Sequence, residues 1–364
     1  MKRHAPDYVI LLVALTLAGI GVVMVFSSSS VMAGLRYNNP YYYLQRQALW
    51  MALGTLAMVA TMNFDYRRYR SVAKAGFFIN LLLLALVLIP GIGMARLGAR
   101  RWIGFGPMQF QPSELMKIAF VVYLAYTLSK DRAKLRDFWR DLMPRLVLLG
   151  LVFGLIMLEP DMGTSLATAG TVVVMLFAAG ARLGHLMTLA AAAVPMLLGL
   201  IWVAPYRLRR FLSFLDPKAD PQGSGYHVIQ ALYAFGSGGL FGVGLGAGKL
   251  KFGYLPENHT DSIFAMIGEE LGFLGAVVVI ILFFLLAWRG LQVATHAPDA
   301  FGSLLAVGLT ATVVVQAFLN IAVISASIPF TGIPLPLVSY GGTNLLITMA
   351  GVGILLNVSR YTTH

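Results

Sequence analysis

Leu255-Pro256-Glu257-Asn258-His259-Thr260-Asp261 leads without a break into an apolar run from Ser262 to Trp288, in which only Glu269 and Glu270 carry charge. A run of that length suits an α-helix crossing a hydrocarbon core about 30 Å thick. The polar stretch before it sets a carboxylate at the helix mouth, where a charge is costly unless it has a task. Similar runs recur along the whole chain, and ten spans are expected at roughly 8–30, 47–63, 74–93, 113–129, 144–158, 163–180, 185–204, 262–288, 301–323 and 342–358. An even number places both termini on one side.

Composition agrees. Of 364 residues, 58% are hydrophobic and 12% charged, and the mean hydropathy is +0.78. Soluble domains carry about 25% charged residues, so most of this surface must face lipid. The expectation is an all-α polytopic membrane protein, a single integral domain over 1–364. The absence of cysteine excludes disulfides, thiolate nucleophiles and zinc–thiolate sites. The formal charge of +12 serves topology and anionic headgroups, since no nucleic-acid-binding module is visible. Met1-Lys2-Arg3 followed by Tyr8 to Phe26 reads as an uncleaved first helix, because the apolar stretch exceeds the usual 7–15 residues of a signal peptide.

Lys and Arg then orient the chain. With the N-terminus cytoplasmic, inside segments hold 15 of the 27 and outside segments 11, with Lys117 inside a span. Six of those eleven lie in the long 205–262 loop, which the rule discounts. That loop has structure of its own. Leu208, Phe211, Leu212 and Leu215 share one helical face opposite Arg207, Arg209 and Arg210, predicting an interfacial amphipathic helix. Asp216-Pro217 and Asp220-Pro221 break it, and Tyr226 to Phe235 predicts another short helix. Ser325 to Gly342 is apolar but interrupted by Pro329, Pro334 and Pro336, so a re-entrant or surface-lying segment buried in protein is expected. Ser27 to Ser30 read as a helix end.

Several residues invite a chemical reading beside a plain one. Asp261 is placed to cap the following helix or, beside His259 and Glu257 and with Lys249 and Lys251 near in sequence, to act as a general base. A cap would weaken it as a base, because bonds to the carboxylate favour the ionised form. Glu114 and Lys117 stand three apart and pair on a helix, either as a structural ion pair or as the polar floor of an outward cavity. Arg100, Arg101 and Trp102 anchor an interface or meet a phosphate. Gly236 to Gly248 holds a glycine at nearly every second position, which suits a flexible loop or an anion-binding backbone nest. Glu269 and Glu270 are adjacent and are not expected to face the same way. No histidine shows metal-ligand spacing, and no metal is assigned.

These segments resemble the SEDS family of bacterial cell-wall polymerases, of the FtsW/RodA type. The blocks run nearly end to end: Gly98-Ala99-Arg100-Arg101-Trp102-Ile103, Phe110-Gln111-Pro112-Ser113-Glu114, Glu159-Pro160-Asp161-Met162-Gly163-Thr164, Pro205-Tyr206-Arg207, Gly223-Ser224-Gly225-Tyr226, Leu255-Pro256-Glu257 with His259-Thr260-Asp261, and Pro334-Leu335-Pro336 with Ser339-Tyr340-Gly341-Gly342. Ser262 departs from the family's usual Phe, and Thr343-Asn344 replace a pair of serines. Glu159 and Gly268-Glu269-Glu270-Leu271-Gly272 lean towards the division or sporulation branch.

The resemblance implies ten spans with a large extracytoplasmic loop between the seventh and eighth, in the bacterial cytoplasmic membrane. It also implies an inverting glycosyltransferase that polymerises lipid II at the outer face. Asp261 is the implied catalytic base. Arg101, Trp102, Glu114, Lys117, Asp161, Arg207, Arg210, Lys251 and His259 are the expected substrate-binding set. No cofactor is evident, and a divalent cation at the leaving group is left open. A single-span class B penicillin-binding protein is the implied partner, with other divisome or elongasome membrane proteins. A lipid II flippase and a non-catalytic scaffold are the rival readings.

Overall fold

The computed structural model describes residues 4–96, 99–105, 108–130 and 137–362. Gly98 of the first family block and the basic residues Lys2, Arg3, Arg132, Lys134 and Arg136 lie outside the described residues.

The molecule is mostly helical. The chain runs through α1 (Tyr8–Tyr37), α2 (Tyr42–Asn63), α3 (Tyr69–Val87), α4 (Pro112–Lys130), α5 (Met143–Leu158), α6 (Met162–Ala178) and α7 (Leu183–Val203). The long loop follows, carrying α8 (Pro205–Leu215) and α9 (Tyr226–Gly238), and then α10 (Ile263–Thr295), α11 (Ala300–Ile324) and α12 (Gly342–Ser359). Each of the ten expected spans falls on one of these helices. Among the described residues, seven helical stretches are long and apolar enough to cross a membrane, and Met162–Ala178 is a shorter apolar helix. This is a multi-pass membrane protein. The helices α2 and α4 miss that measure by composition. Arg46 and two glutamines lie in α2, and α4 carries Glu114, Lys117 and Lys130.

The all-α expectation needs one correction. A small antiparallel sheet, β1 (Met94–Arg96), β2 (Ala99–Phe105) and β3 (Met108–Phe110), fills the connection between α3 and α4, in the order β1-β2-β3. The pairing of Ile103 with Phe110 and Phe105 with Met108 sets β2 and β3 antiparallel. Short strands with arginines and glycines lack the hydrophobic alternation that would announce them.

Both termini lie at one end of the bundle. The backbone N–H of His4 donates to the Arg360 carbonyl at 2.8 Å, Asp7 pairs with Arg289 at 2.7 Å, and the Asp7 N–H donates to Ser359 Oγ. Asp7 also caps α1 through the N–H groups of Val9 and Ile10. The helix α1 continues to Tyr37, past the serines read as its end. Ser28 and Ser29 donate back to the carbonyls one turn earlier, so they cost the helix little.

At the opposite end α10 is broken at Gly272 (φ 69, ψ −168), a conformation open essentially to glycine alone. The loop after α9 fills the break. Val243 and Gly244 donate to the Glu269 and Glu270 carbonyls, while Phe273 and Leu274 donate to the Gly239 and Leu240 carbonyls. The glycine-rich run is therefore a splint across a helix joint. Its backbone also forms the nest, filled by the protein's own carboxylates. Glu269 Oε1 accepts from the Lys249 and Leu250 N–H groups; Glu270 accepts from the Gly246 N–H and from Ser27 Oγ, and pairs with Lys251 at 3.0 Å. The two glutamates thus reach the same loop, against expectation, because that loop wraps around the end of the broken helical piece.

Gly272→Ala should lower stability by about 3 kcal/mol or more, since it adds strain and a clash. A Cβ there would stand 2.3 Å from the Gly242 nitrogen and 2.6 Å from the Leu240 oxygen. Gly19→Ala, with open space around the added carbon, should melt within a degree or two of the parent in detergent.

Candidate active site

The segment that carries Asp261 is pinned from two sides. Residues 325–341 run irregularly across the bundle, with Ile333, Leu335, Leu337 and Val338 buried. Their backbone groups are satisfied inside the protein, as the prolines there lead one to expect. Gln316 Nε2 donates to the Pro334 carbonyl, Gln47 Nε2 to the Ser339 carbonyl, and the Leu335 N–H to Ser339 Oγ. Asn320 Nδ2 donates both to the Ile333 carbonyl at 2.7 Å and to the Asp261 carbonyl at 2.8 Å. Ser339 Oγ donates to the Thr260 carbonyl and the Tyr340 N–H to the His259 carbonyl. Three consecutive carbonyls, 259 to 261, are held.

Asp261 does not cap α10. The cap position is Ser262, whose hydroxyl instead donates to the Pro256 carbonyl at 3.0 Å and lies 2.8 Å from His227 Nε2. Freed from the helix end, the half-buried carboxylate sits against Gly332, from whose built Cβ position Oδ2 is 3.3 Å and Arg210 Nη1 4.0 Å away. Burial pushes its pKa up to about 7, with Glu257 and Asp161 adding to the rise and Arg101 and Arg210 opposing it. That value suits a base working near neutrality.

Arg101 is spoken for by structure. Its Nε donates to the Glu159 carbonyl at 2.9 Å, its Nη2 to the Pro160 carbonyl, and its Nη1 lies 3.6 Å from Asp161. Asp161 caps α6 through the Thr164 N–H and accepts from Gln111 Nε2. The turn expected at Glu159 to Gly163 is thus locked by one guanidinium from β2. Burial raises the Glu159 carboxyl to about 9, and Asp161 adds to it, so Glu159 is neutral at pH 7.

Arg207 and Arg210 stand on α8, the expected amphipathic helix. They line a groove of about 250 Å³ together with Met162, Leu197, Phe211 and Phe330, between α6, α7, α8 and the irregular segment. The Arg210 guanidinium lies 5.0 Å over the Phe330 ring, and His227 packs on the same ring at 4.2 Å. Burial, followed by Arg210, lowers His227 to about 4. His259 packs on Tyr43 at 4.5 Å and Tyr340 at 5.6 Å, and burial lowers its pKa too. The His227 imidazole is neutral at pH 7. Trp102 lies on β2 beside Gln109, Thr260 and Tyr340, lining a second cavity.

Three of the expected binding residues lie elsewhere. Glu114 and Lys117 form a buried ion pair at 2.9 Å, closed by Asn344 on the carboxylate and Gln316 on the ammonium. They brace α4, α11 and α12 and do not floor an open cavity. Lys251 is consumed by Glu270 and the Gly246 carbonyl. Asp261, Asp161, Arg101, Arg210 and Glu257 do converge. Sequence reasoning missed Asn320, Phe330 and the pairing of Ser262 with His227, and it quoted Ser339 only within a motif block; the lone amide of Asn320 in an apolar helix was the available signal.

The model of the FtsW/RodA/SpoVE family, described as cell cycle protein, matches residues 7–364. The chain belongs to that family. A similar member, stage V sporulation protein E of Bacillus subtilis (strain 168), is 45% identical over 363 residues, covering 100% of this chain and 99% of its own. The probable peptidoglycan glycosyltransferase FtsW of Trichlorobacter lovleyi is 44% identical, covering 97% of this chain and 93% of its own. Among solved structures, one described as "Structural coordination of polymerization and crosslinking by a peptidoglycan synthase complex" matches at TM-score 0.81 with 32% identity, covering 98% of both chains. Rod shape determining protein RodA of Thermus thermophilus matches at 0.72 with 29% identity, covering 99% of both.

Arg101→Ala should destabilise this family member by about 2–4 kcal/mol, because it strands buried carbonyls and Asp161; Arg100→Ala, at an exposed position, should stay within about 0.5 kcal/mol. For Asp261 the folded pKa lies above the ordinary 3.8. Its contribution to folding is therefore complete only below that ordinary value and is lost as pH rises through about 7. Asp261→Asn should raise the melting temperature at pH 8 relative to the parent, and the gap should close towards pH 4.

Proposed function

We propose that this chain is an inverting peptidoglycan glycosyltransferase that joins lipid II units into glycan strands at the outer face of the bacterial cytoplasmic membrane. The observation that carries the reading is Asp261. It is an uncapped carboxylate with a pKa near neutrality, on a backbone pinned at three successive carbonyls, beside a groove that suits a lipid phosphate. Arg207 and Arg210 stand at that groove, and apolar side chains make up most of the rest of it.

In the reaction Asp261 accepts the proton of the acceptor's GlcNAc 4-hydroxyl as its oxygen attacks the MurNAc anomeric carbon. The new carbon–oxygen bond forms on the face opposite the leaving group, and the old bond's electron pair departs on the polyprenyl pyrophosphate. Arg207 and Arg210 oppose that growing charge. Two relatives named for glycosyl transfer and for a synthase complex support the assignment. A divalent cation at the pyrophosphate would share the arginines' task, and no group of three metal-ligating side chains occurs among the described residues.

The same reading takes the chain as ten spans with both termini cytoplasmic, and the loop that carries α8 and α9 as extracytoplasmic. Adjacent termini and the charge bias support it. A single-span transpeptidase is the proposed partner, in keeping with the synthase complex that this fold resembles. Division or sporulation is the favoured setting, given the relatives. A flippase would need unpaired polar groups along the bundle, whereas Glu114 and Lys117 are closed on each other.

Purified protein given lipid II and no other polymerase tests the proposal. Asp261→Asn should slow glycan formation by about 10²–10⁴-fold, and polymerisation at the parent's rate by that variant would reject the base. The rate should rise with pH and level off above about 7, as the carboxylate ionises.

A further inference from the structure

The cavity beside Trp102 shares no lining residue with the groove under α8. It encloses about 520 Å³ and reaches Thr260, the residue before Asp261. Its walls come from α2, the small sheet, the irregular segment and the start of α12. Tyr42, Trp50, Trp102 and Tyr340 supply aromatic surface, Arg46 a cation, and Gln109 and Thr260 polar groups.

These rings are held in place. Tyr42 stacks on Tyr37 at 3.9 Å, and the Arg46 guanidinium lies 4.5 Å over Tyr42. Flat aromatic walls with a few polar groups between them suit the C–H faces and hydroxyls of pyranose rings. Arg46 suits a carboxylate carried on such a sugar. A polyprenyl chain needs none of these polar groups, and the groove under α8 offers a more apolar lining with two guanidiniums for a pyrophosphate.

We propose that this cavity is the acceptor subsite, holding the saccharide whose hydroxyl meets Asp261, while the donor's lipid pyrophosphate occupies the groove under α8. The inference rests on the glycosyltransferase reading and divides its two substrates between two cavities, one reaching Thr260 beside Asp261 and the other lined by Arg210, which shares the Gly332 corner with the Asp261 carboxylate. The proton passes from the acceptor oxygen to Asp261. That oxygen bonds to the anomeric carbon approached from the other cavity, and the anomeric carbon–oxygen bond to pyrophosphate breaks. Approach from separate sides is what inversion requires.

The protein carries a reporter. Trp50 and Trp102 line the cavity, whereas Trp139, Trp202 and Trp288, the remaining three of five tryptophans, are exposed elsewhere. Titrating the full-length protein in detergent with a lipid-free GlcNAc–MurNAc tetrasaccharide carrying its peptides should give a saturable change in tryptophan fluorescence. Arg46→Gln and Tyr42→Ala should weaken that binding roughly tenfold, while Tyr42→Phe should bind like the parent. In polymerisation with the tetrasaccharide as added acceptor, Arg46→Gln should raise its half-saturating concentration roughly tenfold at little changed maximal rate. No saturable response, or parent-like binding by both Arg46→Gln and Tyr42→Ala, overturns the subsite. If Asp261→Asn polymerises normally the catalytic reading falls, and the titration still decides the cavity by itself.

Discussion

An irregular peptide segment laid among apolar helices has no water to bond, so each buried carbonyl needs a donor from the protein. Much of this molecule follows from that need. Asn320 on α11 divides its amide between the Ile333 and Asp261 carbonyls. Ser339 and Tyr340, in the irregular segment itself, hold the two carbonyls before Asp261. The donors that satisfy the broken segment are thereby the ones that aim the carboxylate. Packing of the segment and placement of the Asp261 carboxylate are one problem with one solution.

Two pairs of charged residues deep in the bundle obey the same rule. Glu114 and Lys117 are neutralised by each other and finished by two amides. Glu269 and Glu270 are met by backbone N–H groups, a serine and a lysine. A charge closed in this way offers little to a passing substrate. Asp261 differs because its charge faces other charges at a distance and its backbone, not its carboxylate, is bonded. Its raised pKa follows from that exposure to desolvation without compensation.

Much of this was legible in the residues. Apolar runs located every long helix, the Leu208/Phe211/Leu212/Leu215 face announced α8, and three prolines announced the buried irregular segment. Motif blocks carried the family. What stayed hidden has a common physical origin: tertiary hydrogen bonds between positions far apart in sequence. Gln316 and Asn320 look like stray amides until the segment they serve is seen beside them. Lys251 reads as a free cation because Glu270, nineteen positions on, gives no local sign of reaching it. The sheet between α3 and α4 has too few residues to show a period. Arg101 was legible as an interface anchor or a phosphate contact, but the Glu159 and Pro160 carbonyls in the turn between α5 and α6 claim it first.

The joint at Gly272 divides the eighth long helix into two pieces, and at the break the Glu269 and Glu270 carbonyls and the Phe273 and Leu274 N–H groups turn away from each other. Each is bonded to the arch between Gly239 and Gly244 instead. The short piece follows directly from Asp261, and the long one lies in lipid. The arch therefore clasps the short piece and the long stem by separate bonds, so the angle between them is set by loop backbone and not by helix geometry.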